Sequence, residues 1–310
     1  AKLTVAPDIS GRPAELGRIL REALARVDQE SASVESVVAL GGIYHINNLV
    51  TEAEACWKFL HGRQPKEARW CYFLSDISRM RADDTGLRAW LEQTVQFAPD
   101  YAPAWLELGD LEFKTGHLDR AAEAYRQRVR LVPGDPYGSL GLARIALQQD
   151  RRAEGKALIE ELVKRVPNFP SSHNIYAEIL AQEGDQIGAA NQRWLGTVAG
   201  RFRAAPDPWK EALRAWCCDV DQLIVWGSID FQTKQGDRGK AAFEKAVSLE
   251  PRNPQGYENL GMYYLEEGNP AKAAEVLEQG SALPGCSERM FSSLGDAYLA
   301  LRQPDKALAV

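Results

Sequence analysis

No run of eighteen apolar residues occurs anywhere in this 310-residue sequence, so no segment reads as a membrane span. Positive charge is not in surplus either. Lys and Arg number 37 against 43 Asp and Glu, for a formal net charge of -6. Phosphate backbones are gripped by an excess of cations, so nucleic acid is disfavoured as the main partner. Cysteine is sparse and odd in number: Cys56, Cys71, Cys217, Cys218 and Cys286. No C-x-x-C occurs, which excludes zinc-ribbon, thioredoxin-like and c-type haem readings. The four histidines, His45, His61, His117 and His173, include no two that lie three or four apart. No H-E-x-x-H exists, so helical metal pairing is excluded and the histidines read as packing or surface residues. Gly138-Ser139-Leu140-Gly141 lacks both a preceding strand and a following Lys-Ser/Thr, so it is no phosphate loop. Glu160-Glu161 and Glu266-Glu267 read as solvated helix faces with no pocket to raise a pKa. No catalytic, metal-binding or cofactor-binding residue is predicted, and no cofactor.

What the sequence does contain is order at a distance. Apolar residues make up 45% and charged residues 26%, the composition of a soluble folded chain. Length alone suggests about two domains, but repeats take precedence over that prior. Pro65, Pro99, Pro133 and Pro167 are each separated by 34 residues. With these prolines at position 32 of a 34-residue unit, units start at Val34, Ala68, Ala102, Pro136 and Pro170. Position 8 is then always small: Gly41, Ser75, Gly109, Ala143, Ala177. Position 7 is large (Leu40, Leu74, Leu108, Leu142, Tyr176), and position 24 is large until Arg193 replaces the series Trp57, Leu91, Tyr125, Ile159. Position 20 is mostly small, with Ala53, Leu87, Ala121, Gly155 and Ala189.

This spacing predicts two amphipathic helices per unit. Small residues at 8 and 20 are expected to face each other, with 7 and 24 filling the space beside them. Turn residues such as Thr115-Gly116-His117 and Glu183-Gly184-Asp185 separate the helices, and the position-32 proline stops the second one. A lone pair of this kind cannot bury its apolar face, so the stacked array is the folding unit. The same pattern returns at Val220 (Trp226-Gly227, Phe243, Ala246, Pro251), Pro254 (Leu260-Gly261, Tyr264, Ala273, Leu277) and Glu288 (Leu294-Gly295, Tyr298, Ala307). In the unit starting at Val220 the Gly236-Asp237 turn signal comes two residues late, which predicts a local indel.

The unit from Ala102 resembles the tetratricopeptide repeat through Trp105, Leu108, Gly109, Ala121, Tyr125 and Pro133, departing from that pattern at Glu112. The chain as a whole looks like a multi-repeat array of bacterial type. The resemblance implies an all-α fold, an α-solenoid wound as a right-handed superhelix of antiparallel helix pairs. It divides the chain into an extended N-terminal segment and capping helix (1–33), an array of about five repeats (34–203), an irregular Pro- and Trp-containing break (204–219), and a second block of two full repeats and a partial third (220–310). The N-terminus looks mature or trimmed, and the last unit reads as interrupted in its second helix at Val310.

In such arrays the first helices line a concave groove. Carried over position by position, its lining is expected to include Arg69, Tyr72, Asp76 and Arg79, then Leu106, Asp110 and Phe113, then Tyr137, Leu140 and Arg144, then Asn174 and Glu178. Aromatics mixed with Arg form the usual hot-spot composition. The clamp that grips chaperone C-terminal carboxylates resembles Lys at position 5 and Asn at position 9. Position 5 here reads Val38, Tyr72, Leu106, Leu140 and Asn174, so that ligand is disfavoured. Cys56 and Cys71 fall on helices that should pack side by side. They read either as two small buried core residues or, in an exported protein, as a disulfide.

The implied function is a non-catalytic scaffold that binds a peptide or protein partner in the groove, and the chain is not read as an enzyme. The alternative is an accessory or assembly subunit of a larger enzyme or redox complex, docking a catalytic partner. The compartment stays open: cytoplasmic, or periplasmic or exported if a signal peptide was removed.

Overall fold

The computed structural model describes residues 3, 7–200, 202 and 204–310. Of the expected extended start, residues 1, 2 and 4–6 lie outside these, as do Arg201 and Arg203; within the described part, Arg12 N–H donates to Ile9 O at 3.0 Å and closes a turn instead of an extended run. Among the described residues there are helices and turns and no strand. In chain order they are α1 (Ala14–Gln29), α2 (Val34–Ile46), α3 (Val50–Arg63), α4 (Ala68–Met80), α5 (Asp84–Phe97), α6 (Ala102–Lys114), α7 (Leu118–Leu131), α8 (Pro136–Gln148) and α9 (Arg152–Arg165). There follow α10 (Pro170–Gln182), α11 (Gln186–Val198), α12 (Pro208–Leu213), a 3-10 turn at Arg214–Trp216, α13 (Val220–Gln232), α14 (Gly236–Leu249), α15 (Pro254–Glu266), α16 (Pro270–Ser281), α17 (Glu288–Ala300) and α18 (Pro304–Ala309).

These helices belong to two units. Residues 30–214 form the first, with five helix pairs from α2/α3 to α10/α11, and then α12. Residues 7–29 and 215–310 form the second, with α1 and the pairs α13/α14, α15/α16 and α17/α18. The first helix of every pair begins where the proline register places a unit start, and the second begins sixteen residues later.

The starts have local causes. The side chains of Ser33, Asp83, Asp135, Asp185, Asp219, Asn253 and Ser287 each accept a backbone N–H in the turn that follows, satisfying a donor the helix cannot. Between the two helices of each pair, position 15 has positive φ: Asn48, Ala82, Gly116, Asp150, Gly184, Lys234, Gly268 and Arg302. The predicted indel at Gly236 is therefore absent. Lys234, at φ 62°, makes that turn, and Gly236 opens α14 in register.

Positions 8 and 20 do approach closely in the unit starting at Val220, where a Cβ on Gly239 would lie 2.7 Å from Gly227 O. The small residue at 8 also makes room for the ring or branched side chain at 24. A Cβ on Gly109 would lie 2.7 Å from the Tyr125 ring, one on Gly227 2.5 Å from Phe243, and one on Gly261 2.4 Å from Leu277. Close helix approach is thus achieved by seating a large group over bare backbone.

Two buried charges in the first unit depart from the apolar pattern. Arg128 is 1% exposed at position 27 and pairs with Asp135, Nη2 to Oδ2 at 2.6 Å. Glu112, the residue that departs from the repeat pattern, is fully buried beside Arg88 (2.9 Å) and Arg120 (3.0 Å). Its Oε2 lies 2.8 Å from His117 Nδ1 yet receives no hydrogen bond, so the two arginines compensate this carboxylate. In the second unit, Tyr257, Leu277, Met290, Leu294 and Tyr298 form a continuous core across successive pairs.

Cys56 and Cys71 are not joined; both are free, buried thiols. Burial pushes Cys56 up to about 12 and Cys71 up to about 11, so both stay protonated and inert near neutrality. Each faces its own neighbours: Cys56 Cβ packs on the bare backbone of Gly41, while Cys71 Sγ lies 3.7 Å from His61 Nδ1.

Candidate functional site

In the first unit, the face of α4 and α6 that carries Tyr72, Asp76 and Glu107 is occupied by the chain itself. Beyond α11, Phe202 packs on Phe169 (ring centroids 4.9 Å apart) and Tyr137 (6.2 Å). Asp207, Trp209 and Lys210 then reach Tyr101, Tyr72 and Asp76 on the earlier pairs. Phe202 and residues 204–210 therefore run back along the array, against its own direction. The segment ends in α12, where the Asp207 side chain accepts the Lys210 N–H and caps the first turn.

Three recognition elements build the contact. Tyr72 Oη donates to Asp207 Oδ2 at 2.6 Å, and Tyr101 Oη donates to Asp207 Oδ1 at 2.5 Å. Tyr72 Oη also lies 2.9 Å from Glu107 Oε1, but one phenolic proton cannot serve both carboxylates. Asp207 is nearer, and Glu107 Oε1 already receives Lys210 Nζ at 2.7 Å. The Trp209 indole lies flat on the Tyr101 ring, with centroids 3.5 Å apart and planes 9° apart, and edge-on to Tyr72. Lys210 Nζ also donates to Asp76 Oδ1 at 2.7 Å and sits 5.1 Å from the Tyr72 ring centre.

Behind this surface a relay fixes Asp76. Trp57 Nε1 donates to His45 Nδ1 at 3.2 Å, which places the imidazole proton on Nε2, and Nε2 donates to Asp76 Oδ2 at 2.9 Å. Arg79 bridges Asp76 (3.3 Å) and Glu107. Burial works against the Asp76 charge. The His45 hydrogen bond and the Lys210 and Arg79 cations outweigh it and hold Asp76 well below the ordinary carboxylate range. Burial pushes Asp207 the other way, upward, more than its two phenol donors pull it down. Burial disfavours the Lys210 cation, but Glu107 and Asp76 prevail and raise its pKa, and burial raises both phenols.

Lys210 and the two phenols share one sign. A lysine raised above its ordinary 10.5 contributes stability below that value and loses it as pH climbs through the folded-state value. Phenols raised above 10.0 stay neutral in the fold while the unfolded chain ionises, so they too favour unfolding in alkali. The melting advantage of wild type over Lys210→Met is expected to be flat from pH 7 to 9 and to shrink above about pH 10. Calorimetry across that range checks it, and an advantage still constant at pH 11 would refute the assignment.

Of the twelve residues expected in the groove, Tyr72, Asp76 and Arg79 meet at this contact, and Tyr137 meets Phe202. Asp110, Phe113 and Arg144 lie further along α6 and α8 than Glu107 and Tyr137. There Arg144 stacks over Phe113 at 4.4 Å, and Asp110 accepts from Tyr125 Oη at 2.7 Å. Arg79, Glu107, Asp110 and Lys114 also line a cleft of about 320 Å³. Arg69 turns to Glu67 and stacks on Trp70. Leu106 and Leu140 are half-buried, and Asn174 and Glu178 are exposed. Tyr101, Glu107, Asp207, Trp209 and Lys210 escaped the sequence reading. The one available signal was Pro206-Asp207-Pro208, a stiffened segment outside the period.

Among the described residues, no group of three or more His, Cys, Asp or Glu is arranged to hold a metal ion, and no helix is long and apolar enough to cross a membrane. Residues 102–145, 140–201 and 242–275 match family models described as tetratricopeptide repeat. A curated relative, cellulose synthase operon protein C of Pseudomonas fluorescens (strain SBW25), is 28% identical over 256 residues, 82% of this chain. The match spans only 17% of that protein's length. Among solved structures, yeast Tom70 aligns with a TM-score of 0.48 and 17% identity, over 94% of this chain and 60% of that one. The APC/C hetero-tetramer Cut9-Hcn1 aligns with a TM-score of 0.44 and 14% identity, over 91% and 52%. The repeat fold suggests a scaffold for protein partners and is typically non-catalytic. With three matched segments, a 34-residue period and helix pairs starting in constant register, the chain is a tetratricopeptide-repeat protein.

Proposed function

We propose that this protein is a non-catalytic scaffold whose first unit binds a peptide or protein partner along the inner face of α4, α6, α8 and α10. The supporting observation is that α4 and α6 already grip a peptide segment, residues 207–210, through hydrogen bonds, an ion-pair set and a stacked ring. A surface that orders an aspartate, a tryptophan and a lysine in sequence has the chemistry of peptide recognition. Asp110, Phe113 and Arg144 extend that surface past the segment with an aromatic, a cation and an acid.

Position-specific photo-crosslinking tests this reading. A benzophenone amino acid at Phe113 is expected to yield discrete partner adducts in extract of the source cells, whereas the same group at exposed Lys164 on α9 is not. Adding Arg144→Glu to the Phe113 probe should cut the adduct yield at least tenfold. Equal adduct patterns at the two positions would end the proposal.

A second reading has its own support. The 28% identity to cellulose synthase operon protein C favours an accessory subunit that docks onto a larger enzyme assembly. Under that reading the crosslinked partner is a subunit of a biosynthetic complex, which mass spectrometry of the adduct would show.

A further inference from the structure

We infer that residues 204–213 are a tethered occupant of the first unit's peptide site, and that an outside partner displaces them with the same three groups: a carboxylate, an aromatic ring two residues on, and an amine at the next residue. The inference rests on the scaffold reading above and names the partner's chemistry.

The receptor is chemically incomplete without its occupant. On the receptor side, Asp76 and Glu107 share one bridging cation, Arg79, leaving one net negative charge. Lys210 Nζ supplies the missing cation at 2.7 Å from each carboxylate. Two phenol donors, Tyr72 and Tyr101, converge on a single carboxylate; without it Tyr72 can turn to Glu107 Oε1 at 2.9 Å, but Tyr101 loses the acceptor it donates to. The Tyr101 ring offers a flat platform, filled by the Trp209 indole. These requirements sit in a fixed order along α4 and α6, so they select a sequence as well as a composition. Arg79 cannot replace Lys210, because its guanidinium is already committed to Glu107 Oε2 and lies 3.3 Å from the Asp76 Oδ1 that Lys210 holds at 2.7 Å.

The occupant is also held by short-range features that a free peptide could copy. Asp207 caps its own helix through the Lys210 N–H at 3.2 Å, so the carboxylate binds the phenols and orders the backbone at once. Trp209 N–H donates to Tyr101 Oη at 3.2 Å, adding a backbone contact independent of side-chain identity. The contact joins residues more than a hundred positions apart through three anchors, Asp207, Trp209 and Lys210. Tethering places the segment at an effective concentration of about 1 mM, so an outside peptide of equal intrinsic affinity competes at a large disadvantage. The site is therefore closed to weak ligands and opens to one that binds more strongly or reaches further, onto Phe113 and Arg144.

The test uses the whole chain and a fluorescein-labelled synthetic peptide of residues 202–213. Fluorescence anisotropy should show the Asp207→Ala/Trp209→Ala/Lys210→Ala protein binding the peptide at least tenfold more tightly than wild type. Adding Tyr72→Phe and Asp76→Asn to that protein should abolish binding, as should changing the peptide's own Asp to Asn and Lys to Met. A second form keeps residues 207–210 intact and carries a protease site at Ala204-Ala205. After cutting, it should exchange its segment for the labelled peptide, which covers the case in which the triple variant does not fold. No gain in affinity in either opened form, or equal binding of a scrambled peptide, would overturn the inference. Adducts at position 113 without peptide binding would remove the occupant inference alone. Peptide binding without adducts would remove the scaffold reading.

Discussion

Replacing Asp135 with alanine is expected to cost the first unit about 3–5 kcal/mol, because it leaves a guanidinium buried without a counter-charge. Arg128 is 1% exposed, and Asp135 meets it twice, at 2.6 Å and 3.3 Å. The same carboxylate accepts the Tyr137 N–H at 3.1 Å and so starts α8, a cap typically worth about 1 kcal/mol. Asp135→Asn keeps the cap and the volume but loses the charge, so it should fall between alanine and wild type. Replacing both partners, as Arg128→Met with Asp135→Asn, should cost much less than the two single changes summed, since no lone charge remains. Urea denaturation of the four proteins measures this directly. A loss below about 1 kcal/mol for Asp135→Ala would mean that Arg128 finds water, and that the pair is no structural device.

Arg128 also shows where the sequence could be read and where it could not. Its position in the repeat holds Leu60 in the first unit of the array, Leu162 in the fourth and Ala246 in the second block, so the period predicts a buried site there. Nothing in the period predicts that a charge could occupy it. The partner seven residues later was needed, and its role as a cap hid its role as an anion. Helix starts were legible because proline and small residues impose them one unit at a time. Turns were legible only where glycine fills position 15, as at Gly116 and Gly184. Lys234 adopts the same left-handed geometry, so the Gly236 signal pointed to an indel that is absent. The break segment was visible as a loss of period. Its destination was not, because the Asp207–Tyr101 contact spans 106 residues and rests on complementary charges and rings, which carry no periodic mark.

Trp57→Ala is expected to be as damaging as the loss of Asp135, about 3–5 kcal/mol, for a different reason: it opens a cavity the surrounding helices cannot fill. The indole is fully buried, stacks on Trp70 with planes 11° apart, and lies 4.6 Å from the Phe73 ring. Gly41 is bare beneath it, and a Cβ there would come within 3.1 Å of the indole. Trp57→Phe separates packing from polarity. The ring keeps most of the contact area, at a cost of roughly 1–2 kcal/mol, but His45 Nδ1 loses its donor. The imidazole is then no longer held with its proton on Nε2, and Asp76 loses the partner that orients it toward Lys210. Trp57→Phe should therefore melt within a few degrees of wild type while exchanging the Lys210 and Glu211 amides several-fold faster, since both are held by Asp207 at the start of α12. Hydrogen exchange followed by NMR reads both amides. Unchanged exchange there, in a protein with the expected melting point, would disconnect the core from the site. Faster exchange would mean that a residue buried in α3 sets how firmly the first unit holds its own segment, and so how readily a partner can take that segment's place.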